Sequence, residues 1–359
     1  MRFMVTGGAG FIGANLVTEL LGKDHEVINV DVLSYAGNPL VVERHCREPN
    51  YIFEKVDICD SKALKTVFYK HKPDFVLHLA AESHVDKSID GPLAFIQTNI
   101  VGTFNLLNVA TFYWKSIKCS IKSEAFRFVH VSTDEVYGDL GGGKAMFTED
   151  MPYAPSSPYS ATKASSDHLA RAWHRTYGLP VIVTNCSNNY GPFQLPEKLV
   201  PLVISNCLRG VPVPIYGDGC QIRDWIYVQD HVRALMEVVV KGKVGETYNI
   251  GGNNELRNIE VVSKIFTILD ELVTLRSSGF DSCGFSIKYV GDRPGHDIRY
   301  AIDSTKLKNE TGWTPIVSFE SGIRKTVRWY LDNQGWFDSK DSSDSRISEV
   351  EEAELSEVG

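Results

Sequence analysis

A glycine-rich turn between a short apolar segment and an amphipathic one constrains the fold of this sequence more than any other feature. Residues 2–5 are mostly apolar, and the motif TGGAGFIG follows them directly. Gly8, Gly10 and Gly13 form the pattern G-x-G-x-x-G, and Gly7 begins the related G-x-x-G-x-x-G. These glycines permit a tight turn and let a pyrophosphate approach the positive end of the helix that follows. The motif therefore predicts a strand, a phosphate-binding turn and a helix.

Strand and helix patterns alternate through the first half of the chain. After the first strand, short apolar runs predict further strands at 26–30, 53–56, 74–79, 126–131 and 181–184. The segments between them have helical periodicity or composition. This alternation predicts an α/β fold with a doubly wound, Rossmann-like parallel sheet, in which ligands bind at the carboxyl ends of the strands.

Acidic residues end two of the predicted strands at positions suited to a dinucleotide. Asp31 follows the second strand, where a carboxylate accepts hydrogen bonds from the adenosine ribose and repels a 2′-phosphate, so it favours NAD over NADP. Asp57 follows the third strand at a position suited to the adenine amino group, with Ile58 beside the ring. Tyr51 and Lys55 also match Y-x-x-x-K, but they lie across a predicted strand, so we interpret that match as chance.

The fourth predicted strand runs into the motif LHLAAESHVD, which is rich in small and polar residues. Ala80 and Ala81 would let the cofactor pass close to the backbone, and Ser83 could donate a hydrogen bond to the cofactor or to a substrate. A long, apolar-rich helical pattern follows. On it, Thr98 and Asn99 are expected to face the cofactor.

Two groups of proton-handling side chains flank a segment rich in glycine and proline, which we interpret as a lid. Thr133, Asp134 and Glu135 place a hydroxyl and two carboxyl groups at the end of a buried strand. Tyr159 and Lys163 stand four apart in a helical segment, so they share one face of that helix. Because a nearby ammonium favours the phenolate, we expect Tyr159 to act as a base at neutral pH.

The second half of the chain loses the alternating rhythm and supplies polar and basic side chains. Asn188 and Asn189 lie at a strand end, where they could hold a sugar or a carboxamide. Lys198, Arg223 and Arg293 are cations suited to a diphosphate. We also expect the segment VPVPIYGDGCQIRDWIYVQD to form a hairpin.

The sequence predicts a division into three parts. Residues 1–185 would form the NAD-binding domain, to which part of 225–258 returns, and 186–336 would form a smaller α/β domain that mainly binds substrate. The segment 337–359 is acidic and rich in serine, which predicts a disordered tail.

Composition excludes several classes of protein. The formal net charge of -8 argues against a dedicated nucleic-acid binder. The seven cysteines form no C-x-x-C pair, so neither a metal site nor a disulfide framework is indicated and a reducing cytoplasm is expected. No charged leader precedes an apolar region, and no window approaches eighteen apolar residues, so we expect neither targeting nor a membrane span.

The motifs TGGAGFIG, LHLAAESHVD, STDEVYGD, YSATK, TNCSNNYGP, QIRDW and DRPGHDIRYAID resemble those of the nucleotide-sugar 4,6-dehydratases, a family of the extended short-chain dehydrogenase/reductase group. The resemblance covers about residues 1–336. It implies an NAD-dependent enzyme, a hydro-lyase, that converts a nucleotide-activated glucose to the 4-keto-6-deoxy sugar. It favours dTDP-glucose over UDP-glucose.

The same resemblance implies a role for each catalytic side chain. Tyr159, assisted by Lys163 and Thr133, would remove the proton of the C4 hydroxyl while hydride leaves C4 for NAD. Glu135 would remove the C5 proton, and Asp134 would protonate the departing C6 hydroxyl.

The resemblance also implies two sets of binding residues and no metal. The cofactor set is Gly7, Gly10, Phe11, Ile12, Gly13, Asp31, Asp57, Ile58, Leu79, Ala80, Ala81, Ser83, Thr98, Tyr159, Lys163 and Asn189. The substrate set is Ser83, Thr133, Asn188, Lys198, Leu199, Pro214, Tyr216, Arg223, Asn258, Arg293 and His296.

Three alternatives stay open at this point. A nucleotide-sugar 4-epimerase needs the same tyrosine and lysine, but it needs no acid–base pair for C5 and C6, so Asp134 and Glu135 count against it. An NAD-sensing or scaffold protein on the same fold is a second alternative, and UDP-glucose as the substrate is a third. The two long helical patterns, near 92–114 and 158–177, could form the interface of a homodimer or pack internally.

Overall fold

The computed structural model describes residues 1–118, 124–274 and 286–337. The predicted tail lies almost entirely outside these residues. The described residues form twelve strands, with the bounds β1 Arg2–Thr6, β2 Glu26–Asp31, β3 Tyr51–Lys55, β4 Phe75–His78, β5 Arg127–Thr133, β6 Val181–Cys186, β7 Asn188–Tyr190, β8 Val213–Tyr216, β9 Ile222–Tyr227, β10 Thr247–Ile250, β11 Glu255–Arg257 and β12 Ile287–Val290.

The main sheet has seven strands in the order β3-β2-β1-β4-β5-β6-β10, and every pairing within it is parallel. The chain order reverses between β1 and β4, which is the switch point at which doubly wound sheets bind ligands. Apart from one residue at the start of each, β1, β2 and β5 are buried along their length. This burial on both faces explains why the strands read as nearly continuous apolar runs. The predicted fold class is confirmed.

Helices cover both faces of this sheet and extend into the second half of the chain. Their bounds are α1 Phe11–Leu21, α2 Pro39–His45, α3 Ser61–His71, α4 Val85–Asp90, α5 Pro92–Phe95, α6 Thr103–Ser116, α7 Pro158–Tyr177, α8 Leu199–Arg209, α9 Val228–Lys241, α10 Asn258–Thr274, α11 Thr305–Thr311 and α12 Phe319–Asp332. A π-helical segment, Ile96–Gly102, joins α5 to α6.

The second half of the chain builds a smaller lobe around two short sheets. One has the order β11-β9-β7, and the other pairs β12 with β8. The expected hairpin is wrong, because β8 and β9 do not pair with each other. Instead β8 lies parallel to β12 and β9 lies antiparallel to β11. Gly217 and Gly219, with φ of +57° and +74°, turn the chain away between the two strands.

The predicted lid is fixed at several points. Phe147 forms a backbone hydrogen bond to Ala301, and its ring stacks on Tyr137 with centroids 5.0 Å apart. The Asp139 carboxylate accepts a hydrogen bond of 3.0 Å from the Arg299 backbone N–H. Residues 142–145 are exposed, so the segment resembles a loop with a free tip more than a hinged lid.

The helical stretch Pro92–Ser116 is long and apolar enough, by length and composition alone, to cross a membrane. However, 44% of its most apolar 18-residue window is buried in the protein. Within it, α6 packs against α3 and α7. Core helices of soluble proteins pass the same test, so the stretch is weak evidence for a membrane span.

Candidate active site

A cleft of about 440 Å³ opens at the carboxyl ends of the central strands. The turn after β1, the ends of β2 and β4, and the end of β5 contribute to its walls. The first turn of α7 and the segment after β6 close the other side. The cleft therefore lies where the topology of the sheet predicts a ligand site.

The turn at the end of β1 shows why glycine is required there. A Cβ on Gly13 would lie 2.1 Å from the Gly7 carbonyl oxygen, so only glycine lets α1 pack this closely on the turn. Gly7 has a φ of +75°, and a Cβ there would lie 2.7 Å from the Ala80 backbone nitrogen. Gly10 precedes α1 in an extended conformation and has no side chain to cap the helix. The N–H groups of the first helical turn are thus left for an anion.

Asp31 lines the cleft at the end of β2. Its carboxylate accepts hydrogen bonds from the backbone N–H groups of Ala9, at 2.9 Å, and Leu33, at 2.8 Å. These contacts join the glycine-rich turn to the loop after β2 and fix the carboxylate beside the cleft. Asp57 also lines the cleft and is exposed, whereas Ile58 is buried.

The structure places the whole predicted cofactor set on the lining of this one cleft. Of the predicted substrate set, four residues line it as well: Ser83, Thr133, Asn188 and Lys198. The sequence interpretation missed several lining residues, namely Ser34, Ala36, Gly37, Glu82, Ser132, Cys186, Ser187, Gln194 and Leu195. Three of them, Glu82, Ser132 and Ser187, directly follow a strand or flank a predicted site residue, and that position was the available signal.

Asn99 does not face the cofactor, contrary to expectation. It is buried, and its amide group bonds both backbone polar atoms of Glu82, donating to the carbonyl at 3.0 Å and accepting from the N–H at 2.8 Å. It also donates to the Thr162 hydroxyl at 2.9 Å. Asn99 lies in the π-helical segment, and it ties the end of β4 to the helix that carries Tyr159.

The end of β5 positions the two acids. A short 3₁₀ helix, Asp134–Tyr137, begins there, and the Thr133 hydroxyl caps it by accepting a hydrogen bond of 3.3 Å from the Glu135 N–H. Asp134 is 1% exposed, and its Oδ2 has no hydrogen-bond partner among the described residues. An unpartnered carboxyl oxygen in a buried position is costly unless the group is protonated or meets a ligand.

The electrostatic surroundings separate the two acids. Burial raises the pKa of Asp134 well above its ordinary value, and the neighbouring charges of Glu135 and Asp224 raise it further. Burial also raises the pKa of Glu135, but Arg293, Arg223 and Lys198 oppose that shift. Asp134 is therefore the better proton donor and Glu135 the better proton acceptor.

Helix α7 presents Tyr159 and Lys163 to the cleft. Ser157 and Ser160 form a reciprocal capping box, with hydrogen bonds of 3.1 and 3.0 Å, and Pro158 occupies the first helical turn. This cap fixes where the helix begins and so places Tyr159 in its first turn. The Lys163 ammonium donates to the Val131 carbonyl oxygen at 2.8 Å.

The acidity expected for the Tyr159 phenol is not found in the cleft without ligands. Burial raises the pKa of Tyr159 well above its ordinary value, and Glu135, Cys186 and Asp134 add to the shift. The positive charge of Lys163 does not overcome this effect. The sequence showed the helical spacing of tyrosine and lysine, but it did not show how deeply the Tyr159 side chain is buried from solvent.

The cations of the second lobe differ in their availability. Arg223 is 4% exposed and does not line the cleft, because its guanidinium donates to the backbone carbonyls of Ile222, Asp297 and Ile298. Lys198 reaches the cleft, where its ammonium donates to the Ser83 carbonyl at 2.9 Å.

A second polar group lies near the cleft, where the charge of Arg293 acts on Glu135. Arg293 pairs with Asp86 at 3.3 Å, and the Tyr216 hydroxyl donates to the other oxygen of the same carboxylate at 3.1 Å. The Arg293 Nε is buried and has no partner among the described residues. His296 bonds Asp292 at 2.6 Å, close to the Tyr216 ring. Of the remaining predicted substrate residues, Leu199 begins α8, Pro214 lies in β8 and Asn258 begins α10.

Dehydrogenases of the extended short-chain type combine such a sheet with a cofactor cleft and a tyrosine–lysine pair on a helix beside it. The fold and the cleft place this chain in that class.

Comparison with known proteins narrows the class. Residues 4–326 match a sequence model of the family described as GDP-mannose 4,6 dehydratase. The dTDP-glucose 4,6-dehydratase of Neisseria meningitidis serogroup B is 59% identical, over 94% of this chain and 95% of that protein. The crystal structure of the Bacillus anthracis dTDP-glucose 4,6-dehydratase in complex with NAD is 45% identical and superposes with a TM-score of 0.82, over 95% of this chain and 99% of that one.

A third comparison agrees with these two. The dTDP-glucose 4,6-dehydratase of Streptomyces venezuelae, crystallised with NAD bound, is 44% identical with a TM-score of 0.84, over 95% of this chain and 100% of that one. The chain therefore belongs to the dTDP-glucose 4,6-dehydratase family.

Proposed function

We propose that this protein converts dTDP-glucose to the 4-keto-6-deoxy sugar with loss of water, using NAD that stays bound through each turnover. The observation that carries the proposal is the presence of two acids with raised pKa values, Asp134 and Glu135, in the same cleft as Tyr159. Epimerisation at C4 needs the phenol but has no use for two further proton-transfer groups.

The residues of the cleft fit NAD. The space left by Gly7 and Gly13, together with the N-terminus of α1, suits the pyrophosphate, and Asp31 suits the adenosine ribose. The NAD contained in the structures from Bacillus anthracis and Streptomyces venezuelae supports this assignment. When bound, NAD would supply a hydride acceptor for C4 and return the same hydride to C6.

Tyr159 opens the reaction by taking the proton of the C4 hydroxyl. Thr133 shares the hydrogen bond of that hydroxyl, and the ammonium of Lys163 favours the ionised phenol. Burial raises the pKa of the phenol, so its ionisation requires positive charge nearby, which Lys163 supplies and the oxidised nicotinamide of bound NAD would add.

The two acids then eliminate water. The ketone at C4 makes the C5 proton acidic, and Glu135 removes it. Asp134 donates its proton to the C6 hydroxyl, which leaves as water. After hydride reaches C6, Glu135 returns a proton to C5, so the sugar differs from the substrate by one water. Tyr159 then holds the proton taken from the C4 hydroxyl and Asp134 has lost its own, so net transfer of one proton from Tyr159 to Asp134 through solvent restores both groups for the next turnover.

The second lobe would hold the nucleotide diphosphate. Lys198 lines the cleft and Arg293 lies near it, so both can offer positive charge to a diphosphate. The buried Nε of Arg293 has no hydrogen-bond acceptor among the described residues, so it could donate to a phosphate oxygen. Asn188, whose Oδ1 has no partner among the described residues, suits the sugar hydroxyls. The names of the relatives, which carry dTDP rather than UDP, favour the thymidine nucleotide.

The protein would act as a cytoplasmic homodimer. A row of exposed apolar side chains on the helical stretch 92–116, comprising Leu93, Ile96, Phe104 and Phe112, supports this assembly. It continues onto α7, where the Phe104 ring contacts Trp173 with centroids 5.7 Å apart. The cysteines among the described residues are free, in keeping with a reducing compartment.

Product analysis tests the proposal. The purified protein would be incubated with dTDP-glucose, and separately with UDP-glucose, without added cofactor. Loss of one water from dTDP-glucose, faster than from UDP-glucose, is expected. An unchanged mass would leave an epimerase or an inactive protein, and faster reaction of UDP-glucose would reverse the nucleotide assignment.

A further inference from the structure

A row of four ionisable side chains runs along one face of α7 from the cleft into the protein. Tyr159, Lys163, Asp167 and Arg171 stand four residues apart, which places them on the same side of the helix. Lys163 is 5% exposed and Asp167 is fully buried. The proposed reaction assigns roles to Tyr159 and Lys163. It assigns none to Asp167, a buried acid outside the cleft.

Neutral side chains donate the hydrogen bonds that the Asp167 carboxylate accepts. Its Oδ2 accepts hydrogen bonds from the Tyr153 hydroxyl at 2.9 Å and from the Asn185 amide at 3.1 Å. His130 Nε2 lies 3.1 Å from its Oδ1. Arg171 reaches it only through the Tyr153 hydroxyl, to which it donates at 2.6 Å.

The charge of Asp167 survives its burial. Burial alone would raise the pKa of Asp167, but the neighbouring imidazole of His130 and the charge of Lys163 bring it below its ordinary value. Burial lowers the pKa of His130, so this histidine is neutral and does not cancel the carboxylate. Asp167 is therefore an anion inside the protein with neutral hydrogen-bond donors.

The ionisable groups around Lys163 come from four elements. On α7 they are Tyr159 and Asp167; β6 contributes Cys186, β4 contributes His78 and β5 contributes His130. Burial raises the pKa of Cys186 to about 12 and lowers those of both histidines, so all three are neutral. Among these described residues, Asp167 is the ionised group of opposite sign.

We propose that Asp167 is a positioning residue, the buried counter-charge that keeps Lys163 an ammonium beside Tyr159. Burial lowers the pKa of Lys163, and Asp167 opposes that shift. An ammonium left in this position without its anion would be strongly disfavoured and would lose its proton. Asp167 then acts on the reaction through Lys163 and never touches the sugar. The inference rests on the proposed function, because it gives Lys163 its catalytic purpose.

The pH dependence of turnover separates this role from a structural one. In Asp167→Asn, Lys163 loses its proton at lower pH, and the phenol of Tyr159 loses its support. The alkaline limb of the kcat profile for dTDP-glucose should therefore move down by at least about one pH unit. A uniform loss of kcat at every pH, with the limb unmoved, would overturn the proposal.

Tyr153→Phe is the matched control. It removes one hydrogen bond to the same carboxylate but keeps the negative charge, so the alkaline limb should stay at its wild-type position. If Tyr153→Phe moves the limb as far as Asp167→Asn does, then hydrogen bonding rather than charge is responsible and the proposal fails.

A stability measurement covers the case in which Asp167→Asn folds poorly. If a lone buried ammonium is the cause, the double variant Lys163→Met with Asp167→Asn should regain stability to urea. A double variant no more stable than Asp167→Asn would refute the charge pair. Since this measurement needs no substrate, it stands even if the wild-type protein fails to dehydrate dTDP-glucose, an outcome that would defeat only the proposed function.

Discussion

Asp134 and Glu135 are neighbours in sequence, but they meet different charges. Burial raises the pKa of Asp134, and the neighbouring carboxylates of Glu135 and Asp224 raise it further. Glu135 turns towards a group of cations that lower the pKa its burial would otherwise give it. A single peptide bond thus separates a group that holds a proton from a group that gives one up more readily, which is the division of labour that elimination of water requires.

Replacing Glu135 should stop the reaction after its first stage. In Glu135→Gln the C4 oxidation still proceeds, because Tyr159 is intact, but the C5 proton has no base. Turnover should fall by about 10² to 10⁴, while the bound cofactor still becomes reduced on mixing with dTDP-glucose. Product mass and the absorbance of the reduced nicotinamide measure the two stages separately.

Glu149→Gln provides the control for this experiment. Glu149 is another half-buried acid whose pKa burial raises, but it does not line the cleft and bonds the Asn249 backbone N–H at 2.9 Å. Its replacement should leave turnover near the wild-type value. Normal turnover in Glu135→Gln would show that another group removes the C5 proton.

Asp134 should make stability depend on pH. Its pKa is raised in the folded protein, so between the ordinary pKa of an aspartate and that raised value the folded state keeps a proton that the unfolded chain has lost. The free energy of unfolding contributed by this group therefore falls as pH rises through that window. Asp134→Asn, which cannot ionise, should remove this decline.

Urea unfolding at about pH 5 and about pH 8 measures the effect. The Asn variant should gain stability relative to wild type at the higher pH, while its turnover falls by about 10² to 10⁴ because the leaving hydroxyl lacks an acid. Equal pH dependence in the two proteins would mean that Asp134 ionises normally and is not the proton donor.

Among the elements, the strand–turn–helix at the N-terminus depends most on a single residue. A methyl group at position 13 would overlap the Gly7 carbonyl, so α1 and the turn would have to separate. Gly13→Ala should destabilise the protein by about 1–3 kcal/mol and release NAD during purification. Thermal unfolding and the cofactor content of the purified protein are the measurements.

Gly142→Ala is the corresponding control. A Cβ on Gly142 would meet nothing within 4 Å, and its φ lies outside the range that disfavours a side chain. The variant should match wild type in stability and in cofactor content. If Gly13→Ala behaves in the same way, the close contact of α1 with the turn does not matter for cofactor binding.

Elements that depend on nearby residues could be predicted from the sequence, and elements that depend on distant partners could not. Helix α7 was predicted with its observed bounds, because Ser157, Pro158 and Gly178 mark its two ends locally. The hairpin prediction failed, because the partner of β8 is β12, more than seventy residues further along the chain. Local turn signals contain no information about such a partner.

The site shows the same limit. The glycines of the turn, Asp31 and Asp57 in the cofactor cleft followed from glycine spacing and strand ends, which are local features, whereas the resemblance supplied further members of the set. The position of Asn99, by contrast, depends on a π-helical segment that shifts the register of the helix. No residue pattern in the sequence predicted this segment. Likewise the burial that raises the pKa of Tyr159 arises from several elements packed together. The division of the chain at residue 185 stays a prediction.

For the whole molecule, the exposed apolar row on residues 92–116 predicts a dimer in which this row is buried at the interface. Phe104→Asp places a charge in that row next to Trp173, so a dimer that buries the row should dissociate. Light scattering with size-exclusion chromatography should then give the mass of one chain. Val240→Asp, at another exposed apolar position on α9, should leave the mass of the dimer unchanged.

Strand β10 is the edge strand of the main sheet, but in the sequence it follows much of the second lobe. It pairs with β6, and α9, which packs on α1, also comes from beyond residue 186. During synthesis the edge of β6 therefore stays open until Ile250 has left the ribosome, and an open strand edge beside bare apolar surface invites aggregation. We therefore expect residues 1–185 alone to leave the edge of β6 open, and we expect protection from aggregation to matter most during the synthesis of residues 186–250.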